Sequence, residues 1–202
     1  HIGGLAARIF RISFTGELSY EINVAARHGL ALWTRLMAAG KAHGITPYGT
    51  EAMHVLRAEK GFIIVGQETD GSVTPHDLGM DWIVSKTKPD FIGKRALARH
   101  TMEYDDRKQL VGLLCSDPST VIPEGAHAVL DPNQPLPMKM LGQVTSSYFS
   151  PNCGRSIAMA MLKGGHARKG QTVFFPMLDG SVLEAKIVDT AFFDPKGERI
   201  NG

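Results

Sequence analysis

Cysteine is scarce in this sequence. Cys115 and Cys153 are the only two in 202 residues; they lie far apart and lack C-x-x-C spacing. That excludes a scaffold built on disulfides and predicts a reduced, cytoplasmic setting, with a single disulfide left open. Blocks of like charge are missing as well: 22 basic and 20 acidic residues intersperse to a net charge of +2. Nucleic-acid binding driven by phosphate neutralisation is thereby excluded. No apolar run reaches the length of a bilayer, and no signal-peptide pattern opens the chain. The eight histidines show no H-E-x-x-H and have no closely spaced cysteine pair beside them, so no metal site is predicted. Gly164–Gly170 (GGHARKG) is glycine-rich, yet it carries neither G-x-G-x-x-G nor a G-K-[ST] ending. It is predicted as a turn before a strand, and no flavin or nicotinamide fingerprint occurs elsewhere. Internal repeats and low-complexity segments are absent.

What is present is ordinary for a globular protein, with 43% hydrophobic and 21% charged residues. The length allows one large domain or two small ones. No initiating Met precedes His1, and strand-like residues follow at once, as expected of a piece of a longer polypeptide.

The most informative stretch is Arg11–Val24 (RISFTGELSYEINV). It is predicted as two strands joined at Thr15-Gly16-Glu17, the short Gly-containing loop that hairpins favour. Phe10, Ile12 and Phe14 then share one face. After the turn, Leu18, Tyr20, Ile22 and Val24 point one way, and Ser19, Glu21 and Asn23 the other. Glu21 thus stands mid-strand, near the Phe14 ring, where a carboxylate could read a flat heterocycle by hydrogen bonds and stacking. Spacing alone favours a solvated strand face.

Helical periodicity follows over Gly29–Ala39, with Leu32, Trp33, Leu36 and Met37 on a predicted core face, and from Thr50 to about Lys60, with Ala52, Val55, Leu56 and Glu59 on one side. Phe62–Val65 and Trp82–Val84 read as strands flanking a polar loop, and Asp90 as the cap of a short helix through Phe91, Leu97 and His100. Beyond Tyr104–Arg107 the helical period fades. Strands are predicted at Leu110–Cys115, Ala126–Leu130, Gln143–Phe149, Ile157–Leu162, Thr172–Met177 and Val182–Val188, the last two joined by a tight Asp179-Gly180 turn. The predicted class is α+β: helices over an antiparallel sheet in residues 1–105, then a small all-β barrel or jelly-roll-like domain in 106–202. His54 shares a helix face with Arg57 and reads as a surface pair; His76, after Pro75, is a minor ligand candidate, and Cys115 a buried thiol at a strand end.

The stretch R-I-S-F-T-G-E-L-S-Y-E-I resembles the signature of the folate-binding aminomethyltransferase family, the T-protein of glycine cleavage and its relatives. Further matches follow in order: Gly49–Gly61 (GTEAMHVLRAEKG), Gly66–Pro75 (GQETDGSVTP), Phe91–Lys94 (FIGK) and Gly142–Ser150 (GQVTSSYFS). The wording GTEAMHVLRAEKGFIIVGQETDG is most similar to the carboxy-terminal part of the alpha subunit in the sarcosine oxidase branch of that family. The resemblance implies a tetrahydrofolate site in which Glu21 accepts the N3 proton and 2-amino group of the pterin edge as a charge-assisted pair. Phe14 aligns with the family aromatic that packs on folate, without its hydroxyl. Tyr20, Met53 and Arg57 complete the implied folate set.

Two departures qualify the plain transferase. Met53 stands where its members carry an Arg, and the family's catalytic Asp belongs to an amino-terminal stretch upstream of this chain. Arg57 and Glu59 match the L-R-x-E element and could instead pair with each other to shape a cleft. The oxidase branch implies FAD, FMN and NAD outside this chain, with the missing amino-terminal part and the beta, gamma and delta subunits as partners. It also implies that this piece alone is inactive. The alternatives are an aminomethyltransferase of glycine cleavage, or a scaffold on the same fold with no catalysis.

Overall fold

The structure, a computed structural model, describes residues 1–99 and 104–202. The chain forms two compact units. His1–Arg57 and Lys196–Gly202 make the first, and Ala58–Pro195 the second.

In the first unit, β1 (Ala7–Phe10) pairs antiparallel with β2 (Glu21–Val24) in the register Ala7–Val24 to Phe10–Glu21. The hairpin is therefore wider than predicted, with residues 11–20 outside the ladder. Within that loop Ser13 Oγ accepts the Gly16 N–H at 2.8 Å, and Gly16 turns at φ +82. Helix α1 (Gly29–Gly40) follows the predicted pattern and buries Leu32. Trp33, predicted as core, is 55% exposed. Helix α2 runs Thr50–Glu59 and ends at Gly61, whose φ of +71 stops it.

The second unit opens with Ala58–Lys60, all buried. Phe62–Val65 forms no strand, because its polar groups bond locally: the Glu68 carboxylate takes the Ile64 N–H at 2.7 Å, and Ile64 O accepts from the amides of Gln67 and Glu68. Trp82 lies in a single 3-10 turn, Asp81–Ile83, and is 78% exposed; three apolar residues were too few to establish a strand. Helix α3 is only Lys94–Leu97 with Gly93 at its N-cap; Asp90, expected as the cap, lies too far upstream and accepts only the Phe91 N–H at 3.0 Å. His100, predicted in that helix, lies outside the described residues.

The six predicted carboxy-terminal strands form one antiparallel sheet: β3 (Lys108–Cys115), β4 (His127–Ala128), β5 (Gly142–Ser150), β6 (Arg155–Lys163), β7 (Thr172–Pro176) and β8 (Val182–Val188). Their order is β4-β5-β6-β3-β8-β7. Val129 and Phe174, next to β4 and in β7, exchange two backbone hydrogen bonds of 2.9 and 3.0 Å. The ladder itself stays open, while this bridge ties its two edges and makes the domain barrel-like.

Side-chain alternation divides the burial. Val111, Leu113, Cys115, Ala158, Ala160 and Leu162 fill one core with Val173, Phe175, Ala185 and Ile187. The intervening Leu110, Ile157, Met159 and Met161 pack on the other face with Ala58, Ile63, Val73 and Leu78. β6 is consequently buried on both sides, which explains its near-continuous apolar run. Both cysteines are free thiols.

Candidate functional site

The β1–β2 pair sets the geometry around Glu21. Residues directly opposite in an antiparallel ladder share a face, with Cβ atoms about 5 Å apart. Phe10 is opposite Glu21 and Arg8 opposite Asn23, so these four project together; Ala7, Ile9, Ile22 and Val24 take the other side. Glu21 is exposed, and its carboxylate makes no hydrogen bond or ion pair among the described residues. Both of its oxygens are open to accept, beside a ring that is 44% exposed.

The aromatic that register puts beside Glu21 is Phe10, a residue that motif reasoning passed over. The signal that could have found it is the ladder itself, once the loop is taken as 11–20. Phe14 (38% exposed) and Tyr20 (56% exposed) belong to that loop. Met53 is half-buried on α2, and Arg57, at the end of the same helix within the first unit, is fully buried. The five predicted residues thus lie on three elements: Glu21 on β2, Phe14 and Tyr20 on the loop, and Met53 and Arg57 on α2.

The loop is tied to the carboxy-terminal segment. Arg11 donates from Nη2 to Ile200 O at 2.9 Å, Leu18 N–H donates to Arg199 O at 3.0 Å, and Arg199 Nη1 meets Glu17 Oε1 at 3.3 Å. A cavity of about 270 Å³ between them is lined by Arg11, Ser13, Glu17, Ser19, Ile200 and Asn201. Sequence reasoning missed these tail residues because no local pattern links positions 189 residues apart.

In the second unit the acidic residues of the motifs are occupied. Both Glu59 oxygens are taken, Oε1 by Ser150 Oγ at 2.6 Å and Oε2 by Asn152 Nδ2 at 2.8 Å, with Glu59 1% exposed. Lys60 Nζ donates to the carbonyl and carboxylate of Asp194, each at 2.7 Å. Glu68 is buried and accepts from Ser146 Oγ. Burial pushes the Asp77 carboxyl up, but hydrogen bonds from Arg107 and Thr74 outweigh it and hold the group below the usual range. The GQETDGS loop borders a polar cavity of about 430 Å³, with Gln67, Asp70, Lys108 and Gln143 in its lining. His76 pairs with Asp81 at an exposed position. No group of His, Cys, Asp and Glu among the described residues could hold a metal ion.

Against this geometry the comparisons are specific. Residues 1–88 match the family model described as the GCVT N-terminal domain, and residues 108–194 match the glycine cleavage T-protein C-terminal barrel domain. The chain is 50% identical, over 98% of its length, to a sarcosine oxidase subunit alpha of Corynebacterium sp. (strain P-1), and spans 21% of that protein. It is 37% identical, over 85% of its length, to an aminomethyltransferase of Chlorobaculum parvum, spanning 45% of it. The crystal structure of the glycine cleavage system aminomethyltransferase T from Bartonella henselae superposes with a TM-score of 0.79 at 25% identity, over 93% of this chain and 50% of that one. The relatives are enzymes, and the chain spans about a fifth to a half of their length. Matched at both domains, in order and in fold, the chain belongs to the glycine cleavage T-protein family.

Proposed function

We propose that this chain is the tetrahydrofolate-binding module of a sarcosine oxidase alpha subunit. Residues 1–105 are read as the carboxy-terminal part of the folate domain and 106–202 as its barrel. The observation that carries the reading is Glu21, an exposed carboxylate without a partner among the described residues, on a strand with Phe10 directly across. Two carboxylate oxygens match the paired N–H donors of an amino-pyrimidine rim, and an adjacent ring offers it a stacking surface. Phe14, Tyr20, Met53 and Arg57 are assigned to the remaining cavity wall.

A flavin outside this chain would supply the oxidation of sarcosine, and the imine carbon would then be bridged between two tetrahydrofolate nitrogens. Two C–N bonds form, the bond to glycine breaks, and the two displaced N–H hydrogens move to the departing glycine nitrogen. The product is 5,10-methylenetetrahydrofolate. FAD, FMN and NAD, the catalytic Asp, and the beta, gamma and delta subunits all lie beyond these residues, and the whole assembly is cytoplasmic. An aminomethyltransferase is the second reading, favoured by the Bartonella structure's likeness and opposed by Met53 in place of the family's Arg.

In the complete protein, Glu21→Gln is expected to weaken folate binding by about 1.5–3 kcal/mol, the value of a charge-assisted hydrogen bond. That is roughly a ten- to hundredfold rise in Kd. Calorimetric titration with an unchanged Kd would remove Glu21 from the site.

A further inference from the structure

Resting on the folate reading of Glu21, we infer that the carboxy-terminal turn Glu198–Ile200 is a strap that fixes the register of β1 against β2, with Arg11 and Arg199 as positioning residues. Each strand has four residues, and all of β1 except Ala7 is exposed. Within the residues of this chain burial therefore specifies the pairing weakly, and a slip of one residue would turn Glu21 to the opposite face. A ten-residue connection adds no constraint of its own beyond the Ser13–Gly16 bond.

The three tail contacts supply what the hairpin lacks, because they grip both ends of the loop. Arg11 directly follows Phe10, the partner of Glu21, and its guanidinium reaches Ile200 O. Leu18, three residues before Glu21, gives its N–H to Arg199 O, while Arg199 reaches back to Glu17. The tail can serve as a fixed frame because it is internally bonded: Ile200 N–H donates to Gly197 O and Asn201 N–H to Glu198 O. Gly197, at φ +68, allows the turn that starts it. The chain's two extremities thus meet in one unit, and the signature residues Arg11 and Glu17 orient the recognition strand without touching the ligand.

The test uses the complete protein, with 5-formyltetrahydrofolate as the calorimetric probe and Glu21→Gln as reference. The Arg11→Ala/Arg199→Ala double variant should bind about tenfold more weakly, with its Tm within about 2 °C of the parent. Arg11→Lys, which still donates to Ile200 O, should recover most of the loss. Hydrogen exchange should quicken at Leu18 in the double variant. An unchanged Kd in the double variant while Glu21→Gln weakens binding overturns the strap. If Glu21→Gln is silent, the folate reading fails, and the strap then stands or falls on exchange at Leu18: quickened supports it, unchanged overturns it.

Discussion

At the scale of single residues, Gly61 is constrained twice, by space and by backbone conformation. A Cβ there would stand 2.6 Å from Thr190 O, at a φ of +71 that side chains rarely adopt. Gly61→Ala is expected to cost about 2–4 kcal/mol through strain and displacement of the 190–194 segment, read as a lowered urea midpoint. Legibility also divides residue by residue. Glu21 was visible as a strand carboxylate because alternation around Ile22 and Val24 is local, but it opens β2 where a mid-strand place was expected. Phe10 was not visible, since its place beside Glu21 depends on where the loop begins. Arg11 and Glu17 were recognisable as signature residues, but their partners are backbone and side-chain atoms of the tail, beyond the reach of any periodicity. Glu59 was expected to serve Arg57 or a ligand; its two oxygens go to Ser150 and Asn152, donors on and just beyond β5.

Elements of the barrel were the easiest to foresee, and the reason is physical. Leu110 to Cys115 and Ile157 to Leu162 alternate between two cores, so period-two patterning and apolar continuity agree with the ladder. Phe62–Val65 and Trp82–Val84 misled because short apolar runs do not specify a strand when local hydrogen bonds satisfy their backbone. The segment covering the outer face is fastened at the start of β3 by Asp77, whose side chain is 3% exposed beside Arg107 and whose carbonyl accepts the Leu110 N–H at 2.7 Å. Its carboxyl titrates below the ordinary value of about 3.9. The ion pair therefore contributes full stability above about pH 4, lost as pH falls through the depressed value. Thermal melts from pH 5 to 2 should show a decline that is shallower for Asp77→Asn; identical slopes would deny the pair that role.

For the molecule as a whole, the matched relatives bound what this stretch can do. It spans 21% of a sarcosine oxidase alpha subunit, and no described helix is long and apolar enough to cross a membrane. Since oxidation is assigned to a flavin elsewhere, the isolated chain is expected to give no sarcosine-dependent peroxide in a coupled assay. Turnover above the buffer blank would overturn that division of labour.

The Val129–Phe174 bridge has a colloidal consequence. By occupying amides at the two margins of the six-stranded sheet, it leaves little template for another chain to add a strand there. The short β1–β2 ribbon has no such closure among the described residues, and Ile9, Ile12 and Leu18 are exposed on it or its loop. In this isolated stretch, addition of a strand from another chain is accordingly expected at the open edges of the ribbon before the bridged margins of the barrel sheet.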